Sequence, residues 1–306
     1  MTIRPAHPDD AAALVALRLK TYPHLVRGEA ATRRQLESPP PGADLAAFTA
    51  LSPTSDVVGF VTARRNTATS DPAAGEISLL HVDPAHRRRG HGAGLLRAAE
   101  NHLRAIGVRR VRAFVLPDGL SFATARGYTP SREARYSELD LTGLQVDPPP
   151  VPAGYTLTPI SALPATALYA AEAAGAADEP GDVAPDAVSY ETWRYDVWDD
   201  PGLDRAISMA VLGPSGEVVS FSLLLRDGDR AWSDMTATLP AHRGLGLARL
   251  AKSEALARAA ASGITIAYTS NDAANAAMLA VNTHLGYRPT GTAFSTLTTL
   301  PPHPPP

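Results

Sequence analysis

Two stretches of this 306-residue chain have the residue types and spacing to hold an anion. PAHRRRGHG, Pro84 to Gly92, sets Arg87, Arg88 and Arg89 ahead of Gly90 and Gly92, with Ala93 next. PAHRGLGLA, Pro240 to Ala248, sets Arg243 ahead of Gly244 and Gly246 and closes on Ala248. In both, an apolar strand-like run ends, a proline turns the chain, and a helix-periodic segment begins among the glycines. The first N–H groups of a helix have no intrahelical partner, and the helix dipole makes that end positive. Glycines let the backbone approach a bulky group, so the combination predicts a phosphate cradle. The shared pattern is Arg-x-x-Gly-x-Gly/Ala. It is neither a G-x-x-x-x-G-K-[ST] loop nor a dinucleotide fingerprint, because Gly90-x-Gly92-x-Gly94 has a different spacing and follows a late strand. Arg88 and Arg89 also read as a solvated surface run.

The elements that must position these loops are themselves written twice. Pro84 matches Pro240, Arg87 matches Arg243 and Gly107 matches Gly263 at one interval, and Gly127-Tyr128 matches Gly286-Tyr287 after a short insertion. This is an internal repeat of domain size. In the first copy, strands are expected near 46–51, 57–63 and 76–82, a long helix over 90–106, a strand over 111–115 and a short helix ending at Gly127. In the second, strands are expected near 206–212, 218–225 and 231–239, a long helix over 245–262, a strand over 265–269 and a helix over 275–285. The proline-rich run Val146 to Ala153 reads as a spacer. The expected division is therefore 1–145, a linker 146–153, a second domain 154–300 and a Pro-rich tail 301–306. The class is α/β, with layered α+β character.

Composition narrows the function. The formal net charge of −3 argues against a nucleic-acid partner, and the absence of cysteine excludes thiolate chemistry and zinc–thiolate sites. The even spacing of His81, His86 and His91 fits neither a helix face nor a strand face, so no metal is expected. No secretory signal and no transmembrane run is apparent, which predicts a cytoplasmic protein without a membrane partner.

With its repeated Arg-x-x-Gly-x-Gly/Ala loops and Gly-Tyr landmarks, the chain resembles the GNAT superfamily of acyl-CoA N-acyltransferases, as two tandem domains. The resemblance implies two GNAT domains, each a mixed, mostly antiparallel twisted sheet flanked by helices. It implies acetyl-CoA as co-substrate, its pyrophosphate on Arg87, Arg88, Arg89, Gly90, Gly92 and Ala93 or on Arg243, Gly244, Gly246 and Ala248. It places Leu80, His81 and Val82, or Thr236, Ala237 and Thr238, beside the pantetheine arm. It also implies direct attack by an amine, whose proton a base must remove. Glu76 occupies the family's base position in the first half; Trp232 stands there in the second, where Asp234 on the same strand face can substitute. The family's Asn at the start of its last motif is Asn275 in the second half and Leu116 in the first. The tyrosine that donates a proton to the thiolate is replaced by Ala123 and Asn282.

The acceptor side in this family is lined by the first two helices. In the second half that region carries Asp196, Asp199, Asp200 and Asp204, with Glu179 and Asp182 just before. These acids suit a cationic amine, and they read equally as a solvated loop. The main expectation is an N-acetyltransferase for the primary amine of a small molecule such as an antibiotic, a biosynthetic intermediate or an amino sugar. A peptide or protein amine is the alternative acceptor, and a non-catalytic acyl-CoA sensor is the alternative class. The C-terminal half is favoured as the working one. Its internal repeat resembles a dimer within one chain, which suits a monomer.

Overall fold

The computed structural model describes residues 2–144, 146–176, 181–183, 186 and 188–301. The chain forms two compact units that exchange segments. Unit 1 comprises Met1–Ala134, Asp182–Val188 and Thr292–Pro306; unit 2 comprises Arg135–Gly181 and Ser189–Gly291.

Unit 1 is built from β1 (Thr2–Pro5), α1 (Ala11–Thr21), α2 (Glu29–Glu37), β2 (Ala46–Leu51), β3 (Val57–Arg65), β4 (Ala74–Val82), α3 (His91–Ala105), β5 (Arg110–Val115) and the short α4 (Leu120–Thr124). Next comes β6 (Thr129–Asp140). Unit 2 continues with β7 (Thr156–Pro159), α5 (Ala165–Ala176), α6 (Tyr190–Trp193), β8 (Met209–Leu212), β9 (Val218–Asp227), β10 (Arg230–Thr238), α7 (Leu247–Ala261), β11 (Ile266–Asp272), α8 (Ala276–His284) and β12 (Arg288–Thr299).

The strand order in unit 1 is β1-β2-β3-β4-β5-β12, and in unit 2 it is β6-β11-β10-β9-β8-β7. β1–β2, β2–β3, β3–β4, β5–β12, β7–β8, β8–β9 and β9–β10 are antiparallel, whereas β4 with β5 and β10 with β11 are parallel. A parallel pair needs a crossover, and here α3 and α7 supply it. α3 forms because Leu95, Leu96, Ala99 and Leu103 recur on one face, and all four are buried in the unit 1 core with Val61, Ile77 and Val111. α7 does the same in unit 2 with Leu247, Leu250, Ala251, Ala255 and Leu256. Each buried leucine contributes about 1.5–3 kcal/mol.

The last strand of each repeat completes the other unit's sheet. β12 pairs with β5 from Phe294↔Val115 to Thr299↔Arg110, and Leu300 joins the unit 1 core. Leu139 and Leu141, at the end of β6, lie in the unit 2 core. Sequence patterning does not mark these strands: SREARYSELD carries charges at both faces of the alternation. Their pairing partners, distant in sequence, make them strands.

Thr296 of β12 is fully buried and donates its hydroxyl to the Ala113 carbonyl at 2.9 Å. Thr296→Asp is expected to cost about 3 kcal/mol, because it buries an unpaired charge. Hydrogen exchange should show the loss in β5, almost two hundred positions upstream; unchanged protection of Arg110–Val115 would show that β12 does not hold that edge.

Candidate acyl-transfer site

In each unit the parallel ladder stops while both strands run on. β4 and β5 pair from Ala74↔Arg110 to Ile77↔Ala113, yet β4 continues to Val82 and β5 to Val115. β10 and β11 pair from Arg230↔Ile266 to Trp232↔Tyr268, yet they continue to Thr238 and Asp272. A register shift accompanies the parting on the other edge of each strand, between Phe60 and Thr62 against β4 and between Ser233 and Thr236 in β10. Leu80, His81 and Val82, and Thr236, Ala237 and Thr238, fall in the stretches no longer paired to the parallel neighbour. The hydroxyls of Thr236 and Thr238 are occupied by Ser222 and Ser220 of β9 at 2.9 and 2.8 Å. What these residues offer a ligand in the cleft is therefore main chain.

Each cleft leads to a helix start. A turn of 3-10 helix at Pro84–His86 or Pro240–His242 brings the chain round, and Gly90 or Gly246 caps the following helix in the left-handed region, at φ 88° and 75°. A Cβ on Gly244 or Gly246 would meet nothing within 4 Å, so the loop is uncovered at both glycines ahead of α7. Arg87 and Arg243 play one role in the two copies: each turns its Nε back to the carbonyl at the end of the preceding strand, Val82 at 3.2 Å and Thr238 at 3.1 Å. Arg88 and Arg89 are exposed. Gly92 and Ala93 lie in the first turn of α3, where a Cβ on Gly92 would touch Phe122 at 3.6 Å; Ala248 lies in the first turn of α7.

The copies differ in ways the chemistry would feel. Position 88 takes a positive φ of 62°, and its equivalent Gly244 takes 79°. Only the second copy places a glycine there, so the first carries backbone strain. The other end of Arg87 is tied to Asp118 at 2.8 Å, which sets a carboxylate at the first cradle. Asn275 caps α8, its side chain accepting from the Met278 amide at 3.2 Å, whereas Leu116 caps nothing in unit 1. His91 is buried at the start of α3, and burial lowers its pKa.

Glu76 does not stand free as a base. On β4 it sits directly across from Arg64 of β3 and Arg112 of β5. Arg64 donates to one carboxylate oxygen and Arg112 to the other at 3.0 Å. Burial alone would raise its pKa, but the two guanidinium groups overcome that and hold it at about 2. Such a carboxylate takes no proton near neutrality; it clamps three strands. His81 is similarly unsuited: burial first, then Arg18 and Arg87, bring it to about 3. It lines a small pocket with Leu14, Arg18, Thr32, Gln35, Phe60 and Leu79, a setting without a carboxylate.

Asp234 has the opposite character. It lies at the β10 irregularity and is exposed, yet desolvation still pushes its carboxyl upward. The Trp232 indole N–H at 3.1 Å and the Met235 amide oppose that rise, and the nearby charge of Asp200 adds to it. Asp200 comes from the loop that follows α6. That helix passes into a π-helical turn, Arg194–Trp198, which carries Asp196 on an exposed position. Tyr169, Tyr190, Trp193 and Trp198 pack on one another with ring centroids 5.3–6.2 Å apart and fix the segment. Asp199 is paired with Arg194 at 2.9 Å, so within this loop Asp200 is the acid placed beside Asp234. Asp204 accepts the Ala206 amide at 3.1 Å and shapes the chain instead. Asp182 belongs to unit 1, where it accepts from Ser131 at 3.1 Å and from Ser295. Glu179 lies outside the described residues.

Residues 13–126 match the Acetyltransferase (GNAT) family. No curated protein matches the chain. Among solved structures, a tandem GNAT protein from the clavulanic acid biosynthesis pathway superposes with a TM-score of 0.76 at 21% identity, over 99% of both chains. An N-acetyltransferase from Sphaerobacter thermophilus superposes at 0.73 with 17% identity, over 97% of this chain and 95% of its own. A glucosamine N-acetyltransferase region of a fungal multi-domain β-N-acetylglucosaminidase superposes at 0.68 with 15% identity, over 97% of this chain and 38% of that one. At these identities the likeness shows the fold. Among the described residues no helix is long and apolar enough to cross a membrane, and no group of acids and histidines is arranged to hold a metal.

The stability due to Glu76 has a defined pH window. With a folded value of about 2 against an ordinary 4.5, its contribution is fully present above 4.5 and is lost as pH falls through 2. The difference corresponds to roughly 3 kcal/mol. Glu76→Gln should therefore lower stability by about that amount at pH 7 and flatten its decline in acid, while leaving acetyl transfer in place. Urea unfolding between pH 2 and 7 checks the first two, and loss of turnover in a folded variant would return Glu76 to the list of bases.

Proposed function

With residues 13–126 matching the acetyltransferase (GNAT) family and the whole length in the tandem GNAT fold, we propose that the chain is an acyltransferase whose working site is the unit 2 cleft, where an acetyl group passes from acetyl-CoA to the primary amine of a small, cationic molecule. The observation that carries this reading is Asp234, a carboxyl of raised pKa at the point where β10 and β11 part, in front of a glycine-capped helix start.

The residues fit acetyl-CoA. Gly244 and Gly246 leave the loop ahead of α7 uncovered by side chains, and the helix start offers a pyrophosphate N–H donors and the positive end of the helix dipole. Thr236, Ala237 and Thr238, paired to β9 on one side and past the end of the ladder to β11 on the other, present a main-chain edge for an extended amide-bearing arm. Asn275, whose carbonyl oxygen caps α8, retains amide N–H donors at the start of that helix. When bound, acetyl-CoA supplies a thioester whose acyl carbon an amine can attack.

Asp234 is suited to take the amine's proton. An ordinary carboxylate is a weak base toward an ammonium proton; desolvation, with Asp200 adding to it, raises the pKa of Asp234 and strengthens it as an acceptor. We read Asp200 beside Asp234, with Asp196 of the π-helical turn and Glu172 of α5 at the position of Arg18 in the first repeat, as a negative wall on the acceptor side. The acceptor favoured by this wall carries positive charge. In unit 1 the corresponding side is Arg18 and a neutral His81, and the carboxylate on β4 is clamped. Unit 1 therefore serves as a structural partner or a holder of CoA.

A thiol-release assay with acetyl-CoA and a panel of amines tests this. Gly246→Glu should abolish turnover and Gly90→Glu should spare it. Asp234→Asn should reduce kcat by about 10²- to 10⁴-fold, the usual worth of a positioned base. Turnover that survives Gly246→Glu and is lost in Gly90→Glu would move the site to unit 1.

A further inference from the structure

Unit 2 buries a lysine that unit 1 does without. Lys252, in the second turn of α7, is 1% exposed. Its Nζ donates to Oδ1 of Asn282 in α8 at 2.7 Å and stands 5.1 Å from the ring centre of Tyr287. Asn282 passes its own Nδ2 to Oδ1 of Asn271 on β11 at 2.6 Å. As an ammonium Lys252 can only donate, so in that form it fixes which way Asn282 faces, and Asn282 in turn fixes Asn271. The hydrogen that remains at the end of the chain is on Nδ2 of Asn271. That residue lies beyond Tyr268, where the β10–β11 ladder ends, and it is half-buried.

The first repeat is the internal control. Leu96 stands at the position of Lys252, Val115 at that of Asn271 and Ala123 at that of Asn282. The same fold thus closes over three apolar side chains. Burying an ammonium against one neutral amide is costly, and core packing does not demand it. A group kept at such cost beside a cleft points to chemistry.

We propose that Lys252, Asn282 and Asn271 form a polarised donor relay that stabilises the negative charge developing on the departing sulfur of the thioester. This rests on the unit 2 reading above. As the C–N bond forms and the C–S bond breaks, the electron pair passes to sulfur; the amine proton goes to Asp234, and solvent protonates the thiolate. Asn271 is the group that meets the sulfur. Asn282 and Lys252 are positioning residues: the ammonium enhances the dipoles of the two amides, and both align with their donor ends toward the cleft. The relay stands where Asn282 has replaced the tyrosine of related acyltransferases, and it supplies charge where that residue would supply a proton.

Desolvation holds Lys252 at about 7. The titratable group facing it among the described residues is the Tyr287 phenol, which burial raises and keeps neutral. The native state thus releases the lysine proton near pH 7 while the unfolded chain holds it to the ordinary 10.5. Stability from this group is greatest above 10.5 and is lost as pH falls through 7.

The test is Lys252→Leu in the full chain, which copies Leu96. It should melt higher than the parent at pH 6, and its unfolding should lose the rise in stability between pH 7 and 10.5. Acetyl-CoA affinity by calorimetry should change by less than about threefold, while kcat falls by at least about tenfold and loses its alkaline limb near pH 7. A variant that keeps the parent's rate and pH profile overturns the relay and leaves the proposed function standing; no thiol release from the parent itself overturns both. Should Lys252→Leu fail to fold, Asn282→Asp keeps the question open to test. A carboxylate beside Nζ should move the alkaline limb up by at least about one pH unit, and an unmoved limb overturns the proposal.

Discussion

The structure depends on one constraint: two parallel strands that pair for a few residues and then part. Antiparallel neighbours can be joined by a tight turn, but a parallel pair must be linked by a crossover, and the crossover helix has to begin at the end of its strand. In each unit that geometry delivers the unpartnered amides of a helix start to the mouth of the opening between the strands. Main chain lines the gap, glycine keeps the helix start uncovered, and the side chains around it are free to vary. The fold supplies the cradle; the side chains decide what is done in it.

Two copies of that frame in one chain show how far the side chains have diverged. At the β4 position Glu76 is neutralised as a base by the very residues that stabilise it, since Arg64 and Arg112 pair with it across adjacent strands. At the β10 position Asp234 lacks such partners and its acidity shifts the other way. The core beneath has diverged too. Leu96, Ala123 and Val115 close unit 1 with dispersion contacts, while Lys252, Asn282 and Asn271 place a hydrogen-bonded chain in unit 2. The two repeats thus keep one frame while one fills its core with packing and the other with a polar chain.

The exchange of β6 and β12 explains why neither repeat is a unit by itself. Each sheet lacks its edge strand until the other repeat provides it, and buried residues such as Thr296 and Leu139 belong to cores assembled from distant sequence. The division at the proline-rich run marks where the repeats meet in sequence, while the compact units cut across β6 and β12. Asp182 and Asp186 follow the same logic: written in the second repeat, they bond Ser131 and Ser70 in unit 1.

Sequence by itself determined the repeat and the glycine-capped helix starts of the two loops. The spacing of Arg, Gly and Gly or Ala is a local property, because a glycine-capped helix start is specified within a few residues. The crossover helices were legible for the same reason, their apolar faces being periodic. Lys252 was legible in part: a lysine at a core position of α7, opposite Leu96 in the repeat, is a conflict that alignment of the halves exposes. Tertiary structure alone decided what the acids are. Glu76 and Asp234 are both carboxylates on the strand before the loop, and only their folded surroundings lower the pKa of one, through Arg64 and Arg112, and raise that of the other, through desolvation and Asp200. The same holds for Asp199 against Arg194 and for Asp200 beside Asp234. A carboxylate's pKa is set by the charges and desolvation within a few ångströms, and those neighbours come from strands and loops that sequence spacing does not bring together.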